Sequence, residues 1–405
     1  GSTFHEKDVL EESHLLEDFR DEARTLPVEA KSSNPSPTFH INLSGVQHPK
    51  WSDLITSSKR FLFFLLPTFI QTKLYPDLQR LERLHPSAYL DGMRGLAALF
   101  VFFYHFSYSS HDVLTAFAGT GKPNEHREFL KLPFIRFIYT GPAMVSIFYV
   151  VSGYALSYKP VKLMRNKSWK DLLHTLSSAT FRRAIRLYLP CFASTLMIVV
   201  LVRLGAYDVT RGIAYDGRRL NQVREFHMPR YRSLWHQLTD WAKMMWIFVH
   251  PWSFGTKDTD IEIDKHLWTI PMTSLVALVV WCHEKDRWEM VLFYSGFLLA
   301  ELDFRRQALA RLFINGPVQY LGKISFSLYL MHGPVTHTIG YASMEFFWRT
   351  IGDDTYLTKE IGFVLAAIIN IASTIWAADL FMRVVDTPTV QFAKWIEEKC
   401  IVPLE

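Results

Sequence analysis

Several apolar segments, most of them near the length of a bilayer-spanning helix, constrain this chain more than any other feature. A helix needs about 20 mostly apolar residues to cross the hydrocarbon core of a membrane. The clearest segments are residues 89–108, 134–158, 185–205, 318–340 and 361–382. Weaker ones are residues 241–254, 267–282 and 290–300. The sequence therefore predicts an all-α fold, a polytopic transmembrane helical bundle with about six to eight membrane-embedded helices.

Composition narrows the alternatives. Hydrophobic residues make up 49% of the 405 positions, which excludes a disordered or collagen-like chain. The three cysteines, Cys191, Cys282 and Cys400, are scattered, so a disulfide scaffold is excluded and no metal-binding spacing is present. The remaining alternative is a soluble all-α protein with buried helices. Uncharged stretches of about 18 residues are rare in such domains, so the membrane interpretation is favoured.

The net charge of +5 is unevenly distributed. Residues 1–40 hold nine acidic and four basic side chains, so they carry −5 and the remainder carries +10. The basic excess lies beside apolar segments, which favours a membrane over nucleic acid as partner. Eight cations between segments 134–158 and 185–205 predict a short cytoplasmic loop there: Lys159, Lys162, Arg165, Lys167, Lys170, Arg182, Arg183 and Arg186. The sequence thus predicts a multi-pass protein with a cytoplasmic N-terminus and leaves the organelle open.

The chain is expected to divide into four regions. Residues 1–58 are polar and turn-rich, without the basic start and apolar core of a signal peptide, and predict a disordered cytoplasmic arm. Residues 59–84 predict an interfacial segment, because the apolar run 60–70 is interrupted by Pro67 and is too short to span a bilayer. Residues 85–395 form the predicted membrane domain, and residues 396–405 a short tail.

The first long segment contains three ionisable residues, Asp91, Arg94 and His105. Arg94 and His105 are 11 residues apart, and 11 steps of about 100° return to within about 20° of the starting direction. The two side chains are therefore predicted to share one helix face, roughly 16 Å apart along the axis. Asp91 lies one turn from Arg94 and can pair with it. Ionisable residues within a membrane helix usually face a polar cavity, which makes these three candidate site residues.

Spacing alone leaves a structural alternative open. Arg94 can extend to the membrane surface, and His105 can be satisfied by neighbouring helices without any part in chemistry.

The segment 89–105, YLDGMRGLAALFVFFYH, resembles the opening helix of the acyltransferase-3 family of integral membrane acyltransferases. The family hallmark is an Arg, ten residues and a His, which Arg94 and His105 fit. Other segments resemble the family in the same order: FYVVSGYALS (148–157), FRRAIRLYLP (181–190), HLWTIP (266–271), ISFSLYLMH (324–332) and DTP (386–388). The resemblance covers about residues 85–395 and is strongest to fungal members.

The resemblance implies a membrane-bound O-acyltransferase. It would move an acyl group, with acetyl expected, from acyl-CoA to a hydroxyl of a small-molecule or lipid-like acceptor. Hydroxyl attack on a thioester needs a base near neutral pH, and histidine is the usual choice. His105 is therefore the expected general base, with Arg94 and Asp91 shaping the catalytic site. A covalent acyl-histidine stays open as an alternative.

Coenzyme A carries several phosphate charges, and Arg182, Arg183 and Arg186 are the candidate acyl-CoA-binding residues. The planar guanidinium of arginine binds phosphate in a bidentate manner. The alternative is that these three arginines only anchor the cytoplasmic side. Arg94 is expected either to orient the donor or to keep Asp91 ionised. No permanently bound cofactor and no metal is predicted, since acyl-CoA serves as a co-substrate.

The resemblance also implies that Tyr329 and His332, three residues apart on one helix face, line the substrate pocket. Ser152 is interpreted first as part of a close Ser-Gly helix contact and second as a site-lining residue. Trp268 is interpreted mainly as a membrane-interface aromatic residue and secondarily as a substrate contact. Asp386 stands where the family often has Glu. Because of this difference, Asp386 is expected to be a salt-bridge partner, and no catalytic role is assigned to it.

The match is interrupted after Pro271, where the family usually carries a Glu and then a long apolar helix. Here Met272, Thr273 and Ser274 follow, so one carboxylate and about one span of 20 residues are expected to be missing. Two other functional hypotheses therefore stay open. One is a catalytically impaired relative; the other is a membrane transporter whose buried His and Arg line a path.

Overall fold

The computed structural model describes residues 59–75, 87–111, 133–220, 227–249 and 313–400, together with Asp264, Leu267, Ile270 and Ser295. Secondary structure in these ranges is helical and includes no strand, which agrees with the predicted all-α class. The chain divides into compact units of residues 1–59 and 60–405, and nearly all described residues belong to the second. The predicted arm 1–58 and the weak segments 267–282 and 290–300 lie outside the described residues, apart from Leu267, Ile270 and Ser295.

The helices are α1 (Thr68–Leu74), α2 (Ala88–Ser107), α3 (Pro133–Ile138), α4 (Gly141–Arg165), α5 (Trp169–Arg203), α6 (Ala206–Ala214), α7 (Leu234–Val249), α8 (Gly316–Val335), α9 (Tyr341–Ile351), α10 (Tyr356–Phe381) and α11 (Thr387–Cys400). A π-helical turn, Thr336–Gly340, joins α8 to α9, and a second, Met382–Asp386, joins α10 to α11. Such π-helical insertions occur frequently at functional sites.

Two helical stretches are long and apolar enough to cross a membrane: Trp169–Arg203, and Tyr356–Cys400 with its π-helical turn. These two stretches indicate a membrane protein. Helices α2, α4 and α8 contain 20, 25 and 20 residues. At 1.5 Å per residue they are about 30 to 38 Å long, which also suits a bilayer.

The predicted cationic loop between segments 134–158 and 185–205 is not a loop. Helix α4 continues to Arg165, α5 begins at Trp169, and only residues 166–168 link them. Most of the eight cations therefore lie on helices. The loop prediction was wrong because positive charge indicates the side of a membrane and does not exclude a helix. Lys and Arg are themselves good helix formers.

The predicted single helix over 134–158 is divided in two. Helix α3 ends at Ile138, and α4 begins at Gly141 after a break at Tyr139 and Thr140. Pro142 occupies the first turn of α4, where its missing N–H leaves no helical hydrogen bond unmade. The proline thus favours a helix start at a position where the apolar pattern alone suggested continuity.

The main apolar core brings together α2, α4, α5, α7, α8 and α10. It is formed by side chains such as Val101, Met144, Ile324, Leu328 and Phe381. Helix α2 packs more extensively against α8 than any other pair of described elements does. The helix predicted over 89–108 and the one predicted over 318–340 therefore form the centre of the described fold.

The described part of the predicted interfacial segment, residues 59–75, forms a helical hairpin against α10. Residues 59–65 are helical, the chain breaks at Pro67 as expected, and α1 follows. The indole N–H of Trp376 donates to the Leu65 carbonyl at 2.8 Å, and Arg383 donates to the Leu66 carbonyl at 3.0 Å. Phe61 stays exposed on the hairpin, which suits an interfacial position.

An ion pair joins the segment after α6 to the segment before α10. Arg219, which follows α6, donates to Asp353 before α10 at 2.7 Å. This hydrogen bond raises the pKa of the Arg219 guanidinium above its ordinary value.

Candidate active site

The contact between α2 and α8 depends on glycines. A Cβ atom on Gly95 would lie 2.3 Å from the backbone nitrogen of Gly322. A Cβ atom on Gly322 would lie 2.5 Å from the carbonyl oxygen of Asp91. Because no side chain separates the two backbones, the neighbouring side chains of α2 are held directly against α8.

Arg94 joins these two helices. Its guanidinium donates to the hydroxyl of Ser325 on α8, with Nη2 and Oγ 3.3 Å apart. Its Nη1 lies 3.5 Å from Oδ1 of Asp91, so the predicted ion pair one turn apart is present. The Asp91 side chain is 54% exposed and that of Arg94 36% exposed. An ion pair this accessible adds little stability.

His105 meets the same helix farther along. Its ring centroid lies 5.3 Å from that of His332 on α8. The ring of His332 in turn lies 5.5 Å from that of Tyr329. Arg94 and His105 therefore both contact α8, as the shared helix face predicted from their spacing requires.

One nitrogen of His332 is held by its own helix. Its Nδ1 lies 2.6 Å from the carbonyl oxygen of Tyr329, and the side chain is buried. A carbonyl can only accept, so Nδ1 carries the proton and, in the neutral ring, Nε2 keeps its lone pair. The fold thus selects one tautomer of His332, and that ring lies beside His105.

A cavity of about 490 Å³ opens between α2, α4, α5, α8 and α11. Six of the predicted site residues line it: Arg94, Ser152, Arg182, Arg183, Arg186 and Tyr329. Its apolar walls include Phe148, Leu187, Ile270 and Phe326. The cavity therefore combines a cationic part with an apolar part.

The cations of the cavity differ in their partners. Arg182 pairs with Glu397 of α11 at 3.0 Å. Arg183 and Arg186 form no salt bridge with any residue that the structure describes. Asp386 interacts electrostatically with both Arg94 and Arg186. Two guanidinium groups without a direct counter-charge make this wall suitable for an anion.

Three of the predicted site residues that the structure describes do not line the cavity. Asp91 does not line the cavity but pairs with Arg94, which does. The ring of His332 contacts that of the lining residue Tyr329, and the ring of His105 contacts that of His332. Trp268 lies outside the described residues. His332 does not line this cavity, since its ring contacts Tyr329 and His105; its place in a substrate pocket stays a prediction.

The Ser-Gly step of α4 lies beside the cavity. Ser152 lines the cavity, and Gly153 is buried in the helix packing of α4. Within the described part of the chain, no group of three or more His, Cys, Asp or Glu side chains is placed to hold a metal ion.

The match to known families defines the class. A family model described as an acyltransferase domain, of the acyltransferase-3 type, matches residues 87–300. This match covers more than half of the chain, and it begins just before the helix that carries Arg94 and His105. The chain belongs to the acyltransferase-3 family and is an acyltransferase. An acyl donor and an acceptor are therefore its substrates.

Among its relatives, the chain is similar to fungal acyltransferases. It is 26% identical to the O-acetyltransferase PaAT-1 of Phomopsis amygdali, over 85% of this chain and 90% of that protein. It is 23% identical to acyltransferase R4 of a Phoma species, over 53% and 57% of the two chains. It is 24% identical to acyltransferase clz18 of Cochliobolus lunatus, over 38% and 39%. No solved structure matches the chain.

The first of these alignments bears on the expected missing span. It extends over 469 positions, more than the 405 residues of the whole chain. The Phomopsis protein therefore contains stretches that this chain lacks. The alignment supports the prediction of a shortened domain without locating the missing part, and the region after Pro271 lies outside the described residues.

Sequence reasoning missed several residues that shape the site. Ser325, which holds Arg94, lies in a segment that the family resemblance had marked, but nothing in its spacing distinguished it from Ser327. Lys394 and Glu397 come from α11, beyond the region that matches the family model. Their part in the site depends on tertiary packing, for which a local pattern carries no signal.

Proposed function

We propose that this chain is a polytopic membrane O-acyltransferase that transfers an acyl group, acetyl in the first instance, from acyl-CoA to a hydroxyl of a small-molecule or lipid-like acceptor. The observation that carries the proposal is the cavity in which Arg183 and Arg186 have no salt-bridge partner among the described residues. The similarity to the Phomopsis relative, an O-acetyltransferase, supports both the acetyl group and the oxygen acceptor.

The cavity suits coenzyme A in size and in charge. Its volume of about 490 Å³ falls within the range of small-molecule sites. Arg183 and Arg186 offer planar donors for phosphate oxygens. The apolar wall formed by Phe148 and Phe326 offers a surface for the pantetheine arm. Acyl-CoA is consumed as a co-substrate, so no permanently bound cofactor takes part.

The chemistry proceeds from the ring cluster. His105 accepts the proton of the acceptor hydroxyl as its oxygen attacks the thioester carbonyl carbon. The new C–O bond forms, the C–S bond breaks, and the proton passes to the departing thiolate, so that the products are the ester and free CoA. Tyr329 lines the cavity and contacts His332, which contacts His105. The thioester therefore approaches the base from the side of the cavity on which Tyr329 lies.

The cationic end of the cavity faces the cytoplasm in this proposal. The positive-inside rule assigns the cations around the α4–α5 link to that side, and acyl-CoA is a charged, water-soluble donor. The N-terminal arm then lies on the cytoplasmic side as well, and the other long helices cross the bilayer beside α5 and α10.

Acetyl-CoA turnover tests this function. The protein, purified in detergent, is incubated with acetyl-CoA and a panel of primary and secondary alcohols, and released CoA is measured with a thiol reagent. We expect alcohol-dependent CoA release. The double variant Arg183→Ala plus Arg186→Ala should raise KM for acetyl-CoA about 100-fold, because each of the two lost charged hydrogen bonds contributes about 1.5 kcal/mol, roughly a factor of ten.

Matched controls make the result specific. Arg218 and Arg232 are exposed and do not line the cavity, so Arg218→Ala plus Arg232→Ala should leave KM unchanged. Equal KM values in the two double variants would reduce Arg183 and Arg186 to membrane anchors. Failure of the unmodified protein to bind or cleave acetyl-CoA would remove acyl-CoA as the donor.

A further inference from the structure

The last described helix, α11, runs antiparallel along α5 at the cavity. Near the start of α11, Asp386 is an electrostatic neighbour of Arg186. Near its end, Glu397 accepts a hydrogen bond from the Ser178 hydroxyl and forms a salt bridge with Arg182. Increasing residue numbers in α11 therefore correspond to decreasing numbers in α5. This pairing fixes which α11 side chains reach the cavity.

The register brings Lys394 to the cavity wall. Val390, Ala393 and Lys394 are the α11 residues that line it. Ala393 is buried against its neighbours, while Lys394 is exposed to the cavity and solvent. Lys394 lies eight residues beyond Asp386, about 12 Å along a helical path. It therefore stands at the level of Arg182, farther from Arg94 than Arg186 is.

The charge of Lys394 is not compensated within the described part of the chain. Glu397, one turn away, is occupied by Arg182 and Ser178, and Lys394 forms no salt bridge with a described residue. The cavity thus carries a column of positive charge that begins at Arg94 and Arg186, continues through Arg183 and ends at Lys394.

We propose that Lys394 binds the 3′-phosphate of the acyl-CoA donor, an assignment that rests on the proposed acyltransferase function. The thioester has to point along α8 toward Tyr329 and His105 for transfer to occur. The adenosine end of the donor, which carries the 3′-phosphate, is then at the opposite end of the column, where Lys394 lies. A lysine ammonium suits this position because it is a compact charge on a flexible stem.

The competing explanation is that Lys394 only anchors α11 at the membrane surface. Lys399 offers the comparison, because it lies on the same exposed end of α11 and does not line the cavity. A surface anchor predicts the same effect for both lysines. A phosphate contact predicts an effect for Lys394 alone.

Calorimetric binding of CoA to the full chain in detergent tests the proposal. Lys394→Ala should weaken CoA binding about tenfold, since a hydrogen bond to a charged group contributes roughly this factor. Lys399→Ala should bind as the unmodified protein does, and Lys394→Arg should restore most of the affinity. Thermal unfolding of each variant checks that α11 is still in place.

3′-Dephospho-CoA identifies the phosphate. The unmodified protein should bind it about as weakly as Lys394→Ala binds CoA, and Lys394→Ala should weaken its binding no further. A second tenfold loss in that arm would overturn the assignment to the 3′-phosphate. Equal CoA affinity in Lys394→Ala and the unmodified protein would overturn the contact itself.

The two proposals fail in different ways. If the unmodified protein binds no CoA, the proposed function fails, and the Lys394 contact fails with it. If the unmodified protein binds CoA and only the Lys394 comparison shows no difference, the proposed function stands and Lys394 is an anchor.

Discussion

The imidazole rings of His105 and His332 lie with their centroids 5.3 Å apart and their planes inclined by 41°, at the contact of α2 with α8. His332 is held through Nδ1 by the Tyr329 carbonyl, and Tyr329 lines the cavity. This chain of rings connects the cationic cavity to the proposed base. In the proposed function, these ring contacts link a base on α2 to a donor placed in the cavity between α4, α5 and α11.

Replacement of His105 should abolish most of the turnover. General base catalysis contributes about 10²- to 10⁴-fold, so His105→Ala should lower kcat by roughly this factor while CoA binding changes little. His236 is exposed on α7 and serves as the matched control, since His236→Ala should leave kcat unchanged. Steady-state kinetics with acetyl-CoA measures both. Unchanged kcat in His105→Ala would assign the base to another group.

His332 is expected to position the ring of His105 rather than to contact the substrate. His332→Asn keeps an amide donor near the Tyr329 carbonyl, whereas His332→Leu keeps bulk and loses the hydrogen bond. We expect His332→Asn to retain clearly more kcat than His332→Leu, and KM for acetyl-CoA to stay nearly constant in both, because His332 does not line the cavity. A large rise of KM in either variant would make His332 a substrate contact.

The boundaries of the central helix could be predicted from the sequence. The apolar run 89–108 differs by one residue at each end from α2, Ala88–Ser107. The shared direction of Arg94 and His105 was also predictable, because helical periodicity fixes it before any tertiary contact forms. The roles of these side chains stay predictions, since the fold shows where they lie and only kinetics shows what they do.

Other parts of the site could not be predicted from local patterns. Glu397 reaches Ser178 across 219 positions of the chain, so their contact depends on how α11 packs against α5. The close approach of Gly95 and Gly322 likewise joins distant segments. Pattern reasoning identified helices and ionisable residues but had no means of pairing their faces.

The glycine contact between α2 and α8 should be sensitive to a single methyl group. Gly322→Ala places a Cβ atom 2.5 Å from the Asp91 carbonyl oxygen, so the helices have to separate. Arg94 would then move from Ser325, and His105 from His332. We expect a lower unfolding temperature in detergent together with a large loss of kcat.

Gly316 provides the control for this substitution. It lies on the same helix, α8, and a Cβ atom there would meet nothing within 4 Å. Gly316→Ala should be neutral or slightly stabilising, because alanine is favoured over glycine in helices by about 0.5 to 1 kcal/mol. Equal stability and activity of the two alanine variants would contradict a tight α2–α8 contact.

Asp379 should be essential for holding the N-terminal hairpin to α10. Its side chain is fully buried and accepts hydrogen bonds from the backbone and hydroxyl of Thr68, from the Tyr320 hydroxyl and from Arg383. Sequence offered a signal for it, an acid within the apolar segment 361–382, which membrane helices rarely contain without a reason.

Removal of one partner of a buried ion pair costs about 3 to 5 kcal/mol because the other charge is left behind. Asp379→Ala should therefore lower the unfolding temperature strongly and expose the hairpin to proteolysis between residues 59 and 75. The control, Asp354→Ala, lies at an exposed position before α10 and should do neither. Equal protease resistance of the two variants would show that the hairpin is held by its apolar contacts alone.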